Sequence, residues 1–280
     1  MAEKVPVADL TGIPETMLWP LYGRAAETRR PDARLIDPQA VRIADAIEYD
    51  YARSFRKPNF GHVLRALCID GLLRQWLAKH PNGQVVALGE GLETQVFRVD
   101  NGNVRWLSVD LPAAIAVRSR FVPDTDRHRN LACSALDFRW MEAVDPARGV
   151  FVTMAGLLMY FQPDEVQTLV AGIAAQFPLA EMAFDTIPRW ASRKSLKGWQ
   201  LTPHYRTPPM PWGFDRNERD TIKSWHPNIA DVHEAPYPGG RGFLYRAMLP
   251  VLQIVPGVRN KLPTVWHLRC APTTIGGELE

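Results

Sequence analysis

The feature that most constrains this chain is a single short run. Gln84-Val85-Val86-Ala87-Leu88-Gly89 is almost wholly apolar and β-favouring, and Glu90-Gly91 follows at once. A strand without polar alternation is one buried on both faces, as in a parallel sheet covered by helices on each side. The paired glycines let the backbone turn tightly, and let a ligand approach where a Cβ would collide. About 20 residues on, Asp110 closes the next run, Val104–Asp110. An acid there can accept hydrogen bonds from both hydroxyls of a ribose.

Strand-like and helix-like segments then alternate. Asn130–Leu136, Val150–Met154 and Met182–Asp185 read as strands three to five, and Thr264–Arg269 as the last. A helix opens after Phe161-Gln162-Pro163-Asp164-Glu165, with proline and two acids in its first turn. Upstream, Thr16–Ala26, Asp37–Tyr49 and His62–Ala78 read as helices, Asp37 capping the second ahead of Pro38. The expected fold is α/β, a doubly wound sheet with N-terminal helices. Between Pro188 and Pro263 the texture turns to Pro, Gly, Trp and Arg, with one helix near Arg216–Trp225. The expected layout is one domain: a helical segment over 1–83, a cofactor-binding core over 84–187, a cap over 188–263, and a final strand and tail over 264–280.

Composition narrows the function. With 46% hydrophobic and 22% charged residues the 280-residue chain can build a full core. A formal charge of +3, with Lys and Arg scattered, does not point to nucleic acid. Three widely spaced cysteines, Cys68, Cys133 and Cys270, fit neither a disulfide framework nor a CxxC metal or redox motif. The N-terminal MAEKVPVADLTG lacks an apolar core, and no run approaches the roughly 20 apolar residues of a membrane span. A soluble, cytoplasmic protein is expected. The histidines are at no recognised ligand spacing, so no metal is expected, and no GxSxG motif suggests a hydrolase.

The ligand class follows from charge. A dinucleotide fold extends the turn to GxGxxG for its pyrophosphate, but here the third glycine is Thr94, and Glu90 and Glu93 would repel phosphate. S-adenosylmethionine has a sulfonium and an ammonium and no phosphate.

At this point the residues carry a resemblance. VVALGEGLETQVFRV, VRWLSVDLPAAIAVR, CSALDFRW and GLLMYF, with Asp37-Pro38-Gln39-Ala40 and Arg65…Asp70 upstream, resemble the leucine carboxyl methyltransferase family. The likeness is strongest to its bacterial polyketide O-methyltransferases of the tetracenomycin type. It implies a class I methyltransferase fold and S-adenosylmethionine as cofactor. It also implies that Gly89, Glu90 and Gly91 line the methionine and ribose portion, and that Asp110, with Leu111 beside it, holds the ribose. Arg65, assisted by Arg24, would pair the cofactor carboxylate. Leu136, Asp137 and Phe138 would surround the adenine, and Met154 and Ala155 would close the fourth-strand side. Two residues depart from the pattern: Gln95 stands where GLDTR has arginine, and Ala155 stands where an acid usually precedes GLLMY.

Methyl transfer requires nucleophile, methyl and sulfur in line, so positioning supplies most of the rate. A carboxylate acceptor is already ionised at neutral pH; a phenol, with a reference pKa near 10, benefits from a base. Tyr160 and the cap residues His204, Tyr205 and Arg206 are the candidate substrate contacts. The expected activity is O-methylation of a carboxylate or phenol on a small aromatic or polyketide-type metabolite. The alternatives are a repurposed fold, marked by Gln95 and Ala155, and methylation of a protein C-terminal carboxylate, which needs an open groove.

Overall fold

The computed structural model describes residues 4–7, 10–240 and 247–272. Four helices precede the sheet: α1 (Leu18–Thr28), α2 (Pro38–Ala46), α3 (Tyr51–Phe55) and α4 (Phe60–Lys79). Asp37 caps α2 by accepting from the Ala40 N–H at 2.9 Å. That helix ends before Tyr49, because Ile47 is extended and Ile47–Glu48 pairs in parallel with Val5–Pro6. Asn59 caps α4 through the Gly61 N–H, which moves its start ahead of His62.

The central sheet has seven strands: β1 (Gln84–Leu88), β2 (Arg105–Asp110), β3 (His128–Ala132), β4 (Val150–Met154), β5 (Glu181–Thr186), β6 (Ile229–Glu234) and β7 (Thr264–Cys270). Their order is β3-β2-β1-β4-β5-β7-β6. β7 runs antiparallel to both neighbours, and the first five strands are mutually parallel. This is the class I methyltransferase arrangement. The connecting helices include α5 (Gln95–Val99), α6 (Pro112–Arg118) and α7 (Pro163–Gln176). On one face Val85, Ala87 and Phe151 pack with Leu73 and Trp76 of α4. On the other, Val86, Leu88 and Val152 pack with Leu169, Val170 and Ile173 of α7. Both faces of β1 are therefore covered, which explains its unbroken apolar run.

Two strands also differ from expectation. β3 stops at Ala132, because Ser134 turns the chain: its Oγ accepts from the Leu136 N–H, and its carbonyl from the Asp137 N–H. β6 lies inside the stretch expected as a cap. A register shift between Ile229 and Asp231 breaks its two-residue alternation, so Ile229 and Val232 are the buried apolar positions. The rest of the stretch includes α8 (Arg189–Leu196), a short hairpin over Gln200–Thr202 and Tyr205–Arg206, and, where a helix near Arg216–Trp225 is expected, a 3-10 turn over Arg216–Glu218 that leads into α9 (Arg219–Lys223). The final segment 273–280 lies outside the described residues. No helix among the described residues is long and apolar enough to cross a membrane.

Candidate functional site

Strand order reverses between β1 and β4, and ligands of open α/β sheets bind beyond the carboxyl ends of the strands at such a point. A cavity of about 580 Å³ opens there, within the usual size range of small-molecule sites. Its floor is made of strand ends and the turns after them: Leu88 of β1 and Gly89 after it, Asp110 of β2, Ala155 after β4 and Asp185 of β5. Helices α1 and α4 and the segment from Ile187 to Met210 form its roof.

The turn after β1 is built from its glycines. Gly89 and Gly91 have φ of +64° and +52°. A Cβ on Gly89 would fall 2.7 Å from Leu157 Cδ1, and one on Gly91 2.7 Å from Met17 Cβ. Asp110 locks this turn, its Oδ2 accepting from the Gly91 N–H and its Oδ1 from the Leu111 N–H, each at 2.7 Å. Each oxygen keeps a further acceptor site for a hydroxyl. Burial raises the Asp110 carboxyl above its ordinary range.

Charged side chains are paired around the cavity. Arg24, buried, binds Asp37 at 3.1 Å, Glu93 at 2.7 Å and the Leu92 carbonyl at 2.7 Å. Against the push of burial, Arg24 and Arg98 hold the Glu93 carboxyl down at about 2. The Glu90 carboxylate turns away from the turn it belongs to, pairing with Arg118 at 3.0 Å and accepting from the Trp106 indole. Arg65 donates to Asp185 Oδ2 at 3.0 Å, and Asp185 Oδ1 accepts from the Gly156 N–H. The lining acids Glu90, Glu93, Asp110 and Asp185 outnumber the arginines Arg24 and Arg65. Both lining arginines are already engaged by carboxylates, Arg24 by Asp37 and Glu93 and Arg65 by Asp185, which favours S-adenosylmethionine, with no phosphate, over a pyrophosphate.

The roof is aromatic. Trp19 meets His62 edge-on, with ring centroids 5.1 Å apart, and Tyr205 packs on Phe55 and Trp19. Tyr160, Trp190 and Trp199 complete this side. The Trp19 Nε1 and His62 Nδ1 atoms are buried without a hydrogen-bond partner. Burial, with Arg65 and Arg24 nearby, lowers His62 to about 3, against weaker upward pulls from the Trp19 backbone and Glu93. Burial raises the Tyr160 and Tyr205 hydroxyls.

The structure thus gathers Arg24, Arg65, Gly89, Glu90, Gly91, Asp110, Leu111, Ala155, Tyr160 and Tyr205 around one cavity. It places the other expected residues elsewhere. Met154 is fully buried within the sheet core. Leu136 packs at the edge of that core, while Phe138 is 36% exposed and lies against Gly172. Asp137 caps its own turn through the Arg139 N–H and pairs with the Arg139 guanidinium. His204 and Arg206 are exposed, with His204 beside Arg53 at 3.3 Å, because alternation along the hairpin turns Tyr205 inward and its neighbours out. Sequence reasoning missed Trp19, His62 and Asp185 as site residues. Asp185 had a legible signal, an acid at the end of a parallel strand; Trp19 and His62 sit on helices whose orientation only packing determines. Among the described residues no group of three or more His, Cys, Asp or Glu is placed to hold a metal ion.

Comparison with known proteins agrees with this geometry. Residues 18–174, more than half of the chain, match the family model described as leucine carboxyl methyltransferase. The tetracenomycin polyketide synthesis O-methyltransferase TcmP of Streptomyces glaucescens is 30% identical over 187 residues, 66% of this chain and 69% of that protein. The S-adenosyl-L-methionine-dependent methyltransferase dpfgK of Gibberella zeae is 25% identical over 186 residues, 60% of this chain and 62% of its own length. Among solved structures, a DUF574 family protein from Streptomyces avermitilis superposes with a TM-score of 0.54 at 11% identity, covering 90% of this chain and 97% of that one; this likeness concerns the fold. The chain belongs to the leucine carboxyl methyltransferase family and is an S-adenosylmethionine-dependent methyltransferase.

Proposed function

We propose that the chain methylates an oxygen, foremost a carboxylate, of a small aromatic or polyketide-type acid seated beneath the Trp19, Tyr160 and Tyr205 rings. The carrying observation is one cavity lined both by the strand-end acids Asp110 and Asp185 and by the rings of Trp19, Tyr160 and Tyr205. When bound, S-adenosylmethionine supplies an electrophilic methyl group on its sulfonium. Asp110 would hold the ribose hydroxyls and Arg65 the carboxylate of the cofactor. The roof would stack the acceptor and exclude water, so that opposite charges meet in a dry site. The relative TcmP is named for polyketide synthesis, which supports an acceptor of this kind.

A carboxylate is favoured over a phenol by the titration of the roof. The imidazole on the cavity wall is held to about 3 and the two tyrosine hydroxyls are raised, so neither type has a pKa near neutrality for taking a phenol proton. A carboxylate needs no base. A cytoplasmic setting belongs to the same proposal, and the three free cysteines are consistent with it.

The test is incubation with methyl-labelled S-adenosylmethionine and a panel of aromatic acids and phenols, followed by mild alkali. Label that appears in product and is released by alkali as methanol identifies an ester and supports the reading. Alkali-stable label identifies an ether and transfers the assignment to phenols. A panel that takes no label, with a peptide C-terminus labelled instead, contradicts the small-molecule reading.

A further inference from the structure

The family pattern implies an acid after β4, yet this chain has Ala155 there, with no polar side chain to offer. The sheet register shows what stands beside it. β4 and β5 pair in parallel through Thr153 with Ala183 and Met154 with Phe184. One step further along both strands brings Ala155 and Asp185 side by side. A methyl group leaves room, and the Asp185 carboxylate reaches across: its Oδ1 accepts from the N–H of Gly156, the residue after Ala155. Its Oδ2 accepts from Arg65 Nη1 at 3.0 Å. Gly156 makes this approach feasible, since its φ is +72° and a Cβ there would fall 2.6 Å from Arg65 Nη1.

We propose that Asp185, reaching from β5 into the place left by Ala155, holds the ammonium of the cofactor's amino-acid end while its partner Arg65 holds the carboxylate. This rests on the cofactor placement proposed above. The two groups suit a zwitterion. An ammonium and a carboxylate on one carbon are matched by a carboxylate and a guanidinium already held 3.0 Å apart. Asp185 has accepted one hydrogen bond on each oxygen, and each oxygen has a further acceptor site. Arg65 and Asp185 both line the cavity, with side-chain exposures of 14% and 12%. On this account Ala155 marks a moved acid, not a lost one.

A purely structural role, tying α4 to β5, makes a different prediction. The discriminating experiment is a thermodynamic cycle by calorimetry on the full chain and Asp185→Asn, titrating S-adenosylhomocysteine and its analogue lacking the amino group. Asparagine still accepts from the Gly156 N–H but removes the charge. The proposal expects Asp185→Asn to weaken S-adenosylhomocysteine about 10- to 100-fold, the value of a hydrogen bond between charged groups. It expects the deaminated analogue to bind both proteins within about twofold, because the group that Asp185 serves is missing from it. Equal weakening of both ligands, or of neither, overturns it. Should Asp185→Asn not fold, Asp185→Ser, which also removes the charge, closes the same cycle. Titration of the parent chain with 5′-methylthioadenosine, which lacks the amino-acid end, separates failure of this assignment from failure of the cofactor site itself.

Discussion

The side-chain amide of Gln95 donates to the Asp70 carboxylate at 2.6 Å, in a buried cluster where Arg98 bridges Asp70, Asp37 and Glu93. Gln95 is the residue that stands where the family pattern has arginine. Arg98 lies three residues on, on the same face of α5, and pairs with all three acids, Arg24 also pairing with Asp37 and Glu93. Arg98→Ala would take the close cation from the fully buried Asp70 and leave Asp37 and Glu93 to Arg24 alone. The expected loss is about 3–5 kcal/mol, the cost of breaking a buried ion pair from one side. Urea unfolding measures it, and a loss below about 1 kcal/mol, the level of an exposed pair, would mean that the cluster is not organised by Arg98.

Gly91 tests the turn. Alanine there meets both a left-handed backbone, φ +52°, and Met17 Cβ at 2.7 Å. Strain of this kind costs about 1–3 kcal/mol, and relief would come by opening the Asp110–Gly91 bond. Gly91→Ala should therefore lower the Tm and weaken S-adenosylhomocysteine together. Gly102, also at positive φ but with open space around its Cβ position, is the control: alanine there should affect stability and leave cofactor affinity in place.

The pH dependence of stability should carry two marks of the site. His62 is lowered to about 3 when folded, so between about 3 and its ordinary 6.5 the unfolded chain binds the extra proton. Stability from this group is complete above about 6.5 and falls as pH drops, by at most about 1.4 kcal/mol per unit. Glu93, held at about 2, adds a loss of the same sign as pH falls below its ordinary 4.5. Urea midpoints measured from pH 7 to 4 should decline more steeply in the parent than in His62→Gln. Parallel curves would show that His62 is not desolvated as described.

Trp19 lines the cavity with its ring, while its Nε1 is buried without a hydrogen-bond partner. Trp19→Phe keeps a ring but reduces the aromatic area that the proposed acceptor would stack on. With an acceptor found by the labelling panel, its KM should rise about 2- to 10-fold, the value of one aromatic contact, while S-adenosylhomocysteine binds as before. Weakening of the cofactor instead would place Trp19 on the other side of the reaction.

Much of this was legible in the chain because burial on both faces leaves a direct mark. β1, β2, β4 and β5 are centred on buried apolar residues, and the turn between β1 and β2 carries glycines that its backbone angles require. β6 was not legible. It is an edge strand whose bulge shifts the apolar positions out of alternation, and its polar residues resemble a loop. Site residues divide the same way. Asp110 is set by a strand end and a turn close in sequence, whereas Asp185 meets Arg65 across 120 positions. The adenine-side residues Leu136, Asp137 and Phe138 depended on where β3 ends, and hydrogen bonds of Ser134 ended it sooner.

The most direct test of the central claim is calorimetric titration of S-adenosylhomocysteine into the parent chain and into Asp110→Ala. The account predicts saturable binding at one site in the parent and its loss in the variant, because Asp110 both holds the Gly91 turn and faces the cavity. Absence of binding in the parent, or binding that Asp110→Ala leaves unchanged, would contradict a cofactor site at the strand ends.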